Sequence, residues 1–109
     1  MSSELTAREA SSRGTFRLTW YESFEEVDAA VATLRAMSPH ARKLLSLCIE
    51  SQGVRRTRMS PAGEALYDAG FVHVREDGYM GEVTITPALW GEEAMEAFEV
   101  GVGKYGLGG

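Results

Sequence analysis

Each of the three prolines in this chain follows a hydroxyl side chain: Ser38-Pro39, Ser60-Pro61 and Thr86-Pro87. A Ser or Thr oxygen accepts from the orphan N–H groups of a helix's first turn. Proline at the first helical position lacks an N–H that had no partner there. Each pair also opens a segment with helical apolar spacing, so all three read as helix starts. The first predicts a helix over 39–51, with Ala41, Leu44, Leu45, Cys48 and Ile49 as its buried face and Gln52-Gly53 as its stop. The second predicts a short helix over 61–69, with Ala62, Ala65, Leu66 and Ala69 apolar and Gly70 ending it. The third predicts a helix over 87–99, with Trp90, Ala94, Met95 and Phe98 on one face and Glu92, Glu93, Glu96 and Glu99 on the other.

Upstream, residues 15–21 alternate, with Phe16, Leu18 and Trp20 on one side and Arg17, Thr19 and Tyr21 on the other. That pattern predicts a half-buried N-terminal strand. Ser23 then caps a helix whose stripe is Phe24, Val27, Val31, Leu34 and Met37, with Glu25, Glu26 and Asp28 near its positive end. Between the second and third proline-started helices lies Phe71–Glu76, the pair Asp77-Gly78, and Tyr79–Ile85. Asp-Gly favours a two-residue hairpin turn, because both turn positions need positive φ. Pairing Glu76 with Tyr79 sets Val72 opposite Val83, His73 opposite Glu82 and Val74 opposite Gly81. One face of the hairpin is then Val72, Val74, Val83 and Ile85. The other is His73, Arg75, Met80, Glu82 and Thr84. The N-terminal strand joining this hairpin would complete a three-stranded sheet.

The expected architecture is therefore α+β: an N-terminal strand and helix, two further helices, a β-hairpin and a C-terminal helix. The 109 residues, 44% apolar, suit one domain. Residues 1–14 are polar and Ser-rich, and 101–109 hold five glycines, so both read as flexible tails around a domain over 15–100. No run approaches 18 apolar residues, the N-terminus lacks the apolar middle of a secretory signal, and Cys48 stands alone. These features predict a cytoplasmic protein with no membrane segment and no internal disulfide.

The stretch Leu66-Tyr67-Asp68-Ala69-Gly70-Phe71-Val72, the Asp77-Gly78 turn and Val83-Thr84-Ile85-Thr86-Pro87 together resemble bacterial winged-helix regulators of the MarR and PadR kind. The resemblance covers residues 62–98, about a third of the chain. It implies a winged-helix fold with the hairpin as wing and a role in transcription regulation. It also implies DNA binding, usually as a dimer, with a recognition helix in the major groove and the wing on the backbone or minor groove.

The net charge of −5 is unevenly spread. Residues 1–37 carry −2, residues 38–75 carry +3 and residues 76–109 carry −6. A polyanion partner is therefore confined to the middle segment. Arg55, Arg56 and Arg58 form its one dense basic cluster, with Arg42 and Lys43 on the preceding helix and Arg75 on the hairpin flank. Arginine gives bidentate phosphate contacts, so these six residues are the candidate site for double-stranded DNA or an acidic protein surface. The 61–69 helix carries no Arg, Lys, Asn or Gln, the side chains that read guanine and adenine edges. That feature and the acidic last helix favour an alternative, a protein–protein interaction module on the same scaffold, such as a phage-encoded inhibitor or an assembly adaptor.

No nucleophile–base set, metal-ligand spacing or cofactor fingerprint stands out, so no enzyme activity and no cofactor are expected. His73 beside Glu82 reads as a cross-strand pair rather than an acid–base pair. Cys48, on an apolar stripe, reads as a small hydrophobe. The terminal Leu107-Gly108-Gly109 resembles the tail of ubiquitin-like proteins, but three proline-started helices do not fit their β-grasp fold.

Overall fold

The computed structural model describes residues 4–78 and 80–104. It is α+β, with the order α1 (Ala7–Ser12), α2 (Phe24–Ala36), α3 (Pro39–Ser51), β1 (Val54–Arg56), α4 (Pro61–Asp68), β2 (Val72–Glu76), β3 (Val83–Pro87) and α5 (Leu89–Glu99). The described residues fall into two compact units: those within 37–92 form one, and those within 1–36 and 93–109 form the other.

In the 37–92 unit, two of the three Ser/Thr-Pro pairs do what their chemistry dictates. The Ser38 and Ser60 hydroxyls accept from the N–H groups of Ala41 and Gly63, at 3.2 and 3.1 Å, with proline opening each helix. Gln52, in the left-handed conformation, ends α3. Thr86-Pro87 behaves differently. Pro87 is the last residue of β3, opposite Val72, and the helix starts two residues later than expected. The Ala88 N–H closes the end of the sheet by donating to the Phe71 carbonyl, at 2.9 Å, and the Ala88 carbonyl accepts the first α5 bond from Glu92. Buried Val83 and Ile85 hold the chain in the sheet up to the proline.

The sheet is antiparallel with order β1-β3-β2. Its third strand is Val54–Arg56, not the expected strand at 15–21. Across the hairpin, Val74 faces Ile85 and Glu76 faces Val83. This register lies four residues from the Asp77-Gly78 two-residue turn, and a six-residue loop over 77–82 replaces that turn. Gly78, Met80 and Gly81 all take positive φ there, and the Asp77 N–H donates to the Glu82 carbonyl at 2.9 Å. Side chains alternate with period two, so an even shift leaves the faces unchanged. Val72, Val83 and Ile85 are buried, while His73 and Arg75 are exposed. The partner of His73 is Thr86, so the His73–Glu82 pair does not form. The inner face packs with α3 and α4, whose buried side chains are Ala41, Leu44, Leu45, Cys48 and Leu66.

In the other unit, the expected tail over 1–14 contains α1. Thr6 caps its start: the Glu9 N–H donates to the Thr6 hydroxyl at 3.1 Å, which itself donates to the Glu9 carboxylate at 3.2 Å. Ala7 and Ala10 are fully buried with Phe16, Val27, Val31, Ala97 and Val102. Val102 lies in the stretch expected to be a C-terminal tail, and the Gly103 N–H donates to the Leu5 carbonyl at 2.8 Å. Residues 105–109, with Leu107-Gly108-Gly109, lie outside the described residues.

Residues 15–21 form no strand, and the N–H groups of 19–21 have another acceptor. Glu93, expected on an exposed acidic face, is 3% exposed. Its carboxylate accepts from the N–H groups of Thr19, Trp20 (2.8 and 3.0 Å) and Tyr21 (2.7 Å). Burying a carboxylate is costly unless its oxygens are hydrogen-bonded in this way. The clamp leaves Trp20 half-exposed instead of facing inward with Phe16. No helix among the described residues is long and apolar enough to cross a membrane.

Candidate nucleic-acid interface

The register of the sheet decides which basic residues meet. In β1, Val54 points to the buried face and Arg55 to the opposite one. Arg55 stands opposite Thr84, and so does Arg75 from β2. The result is a row across three strands, Arg55–Thr84–Arg75, on the outer face. Adjacent strands lie about 4.8 Å apart, so the two arginine backbones are about 10 Å apart. His73 and Thr86 occupy the next level of the same face.

Asp77, two positions past Arg75, shares this face. Its carboxylate accepts from Arg75 Nε at 2.7 Å and from the Thr84 hydroxyl. The Thr84 hydrogen bond, the Arg75 hydrogen bond and the positive charge of Arg55 hold the Asp77 carboxyl below the usual carboxylate range. Arg75 remains largely open, with 78% of its side chain exposed.

The other candidates disperse. Arg56 follows Arg55 on the strand and so points to the other side, where its charge acts on Cys48. Burial pushes the Cys48 thiol up and Arg56 pulls it partly back, a setting for a packed thiol rather than a reactive one. Arg58 is exposed in the loop leading to α4. Arg42 and Lys43 sit in the first half of α3, and Lys43 is about 12 Å of helical rise from the end that leads into β1. Arg42 also donates to the Met37 carbonyl at 2.6 Å. Of the six candidates, then, the structure brings Arg55 and Arg75 together, turns Arg56 to the other face, leaves Arg58 in the adjoining loop and keeps Arg42 and Lys43 on α3.

No family model, no curated protein and no solved structure matches this chain. Its chemistry is therefore read from its own geometry. Thr84 and Asp77, the two groups that organise the row, were not singled out from the sequence. A two-residue turn would have placed Asp77 at the tip and Thr84 beyond its reach. Among the described residues, no group of three or more His, Cys, Asp or Glu side chains converges on a metal-sized site.

Proposed function

We propose that this chain is a small, non-enzymatic regulator of winged-helix type that binds double-stranded DNA through its phosphates, with the outer face of the sheet as the contact surface. The Arg55–Thr84–Arg75 row carries this reading. It sets two guanidinium groups and a hydroxyl on one face, and these are donor types that position proteins on phosphate backbones. Arg58 extends the positive surface toward α4. The winged-helix assignment is supported by α3, α4 and the β2–β3 hairpin lying in one unit. Helix α4 offers no side chain for base edges and carries Glu64 and Asp68, so the contact is with the backbone and its sequence preference is weak.

A second reading, a protein-interaction module, draws on Tyr67, Leu89 and Trp90, all exposed in the same 37–92 unit. Tyrosine and tryptophan are the usual anchors of protein interfaces. Fluorescence anisotropy of a labelled duplex at two salt concentrations separates the two. The DNA reading requires binding at low salt that weakens steeply at high salt, and a weaker, flatter response for the Arg55/Arg56/Arg58→Ala variant. A duplex left unbound at low salt would leave the interaction module as the surviving account.

A further inference from the structure

We infer that Asp77 is a built-in competitor for the anion that the Arg55–Thr84–Arg75 row would otherwise take, an inference that rests on reading this face as phosphate-binding. Three observations carry it. The two oxygens of the Asp77 carboxylate take the two central donors of the row, Arg75 Nε at 2.7 Å and the Thr84 hydroxyl. Arg55, on the far side of Thr84, lies close enough for its charge to act on the same carboxylate. The carboxylate is held in place from behind, since the Asp77 N–H donates to the Glu82 carbonyl at 2.9 Å. A phosphate oxygen placed at this level would seek these same donors.

The geometry also says how the competition works. A guanidinium grips phosphate along one of two edges, the Nε edge or the paired terminal nitrogens. Asp77 closes the Nε edge of Arg75 and leaves the terminal nitrogens in solvent, where the side chain is 78% exposed. The row therefore acts with one positive charge fewer than its arginines suggest. Neutralising Asp77 reopens the Nε edge and restores the missing charge. Removing one negative charge about 4 Å from a bound phosphate in water strengthens binding about fivefold. It also steepens the salt dependence by about one counterion.

The test uses the full chain and two probes, a labelled 20-base-pair duplex and inorganic phosphate. Asp77→Asn keeps an acceptor for Thr84 and removes only the charge. Asp77→Ser is a second variant, and the amide spectrum of each reports folding. Duplex affinity is expected to rise about fivefold at low salt in Asp77→Asn, with the gain cancelled by adding Arg75→Ala. Phosphate is expected to shift the Arg75 Nε–Hε and Thr84 signals further in Asp77→Asn than in the wild type. Wild type and Asp77→Asn binding the duplex equally, or the variant binding more weakly, overturns the inference and leaves the DNA reading standing. Phosphate responding as expected while neither protein binds the duplex keeps the competitor and removes DNA as its rival. No response to either probe removes both.

Discussion

Arg55 and Arg75 stand opposite the same residue, Thr84, one on each side of β3. The relationship depends wholly on register. A slip of one residue in either strand pairing would turn one arginine toward Leu45 and Leu66 in the core, which hydrophobic burial forbids. The packing of Val54, Val83 and Ile85 on the inner face thus fixes which charges meet on the outer one.

The Glu93 clamp should carry a large share of the stability of its unit. Glu93→Ala strands three backbone N–H groups and is expected to cost about 2–4 kcal/mol. Glu93→Gln retains one acceptor oxygen and should cost less. Urea unfolding checks the order, read as a lowered midpoint at constant slope. Both variants falling within about 0.5 kcal/mol of wild type would remove the clamp from the account.

Gly91 is required by close approach rather than by backbone conformation. A Cβ there would lie 2.1 Å from the Phe71 carbonyl oxygen, the acceptor for Ala88. Gly91→Ala must shift that backbone and should destabilise by about 3 kcal/mol. A Cβ on Gly70 would meet nothing within 4 Å, and at φ +80° it brings only left-handed strain, about 1–2 kcal/mol. Thermal melts of the two variants should therefore differ clearly, with Gly91→Ala the lower. Equal melting temperatures would contradict the close approach.

Tyr21 should give the protein an alkaline limit. Burial, then the negative charges of Glu93 and Glu26, push its phenol from 10.0 up to about 12. The folded chain holds this proton to higher pH than the unfolded chain does. Stability from this source is complete below pH 10 and declines as pH rises from 10 to about 12. Tyrosinate absorbance should show one late phenol in the wild type that Tyr21→Phe lacks. Persistence of that late phenol in the variant would assign it elsewhere.

Helices α3 and α4 were legible from the sequence because serine capping, proline at the first position and apolar spacing all agree there. The hairpin faces were legible for the same reason, although its register was not. Asp77-Gly78 signals a tight turn, but the loop through Gly81 relaxes into a longer one that lets Asp77 reach Thr84. Strand β1 escaped because three residues, two of them arginine, show no period. Helix α1 escaped because its buried side chains are alanines, although Thr6 with Glu9 three residues on matches a helix-start signature. The false strand at 15–21 had the right alternation but lost three of its N–H groups to a carboxylate more than 70 residues away, a contact no local pattern announces. At the site, composition pointed to the basic loop, but only the register could say that Arg55 joins Arg75 and parts from Arg56.

The most direct test of the proposed interface is the slope of log affinity against log salt for a duplex, compared between wild type, Arg55→Ala and Lys43→Ala. Arg55 lies on the row and should remove one phosphate contact, flattening the slope by about 0.9, while Lys43 on α3 should leave it unchanged. Equal slopes for wild type and Arg55→Ala, or a flattening confined to Lys43→Ala, would contradict the sheet face as the surface that meets DNA.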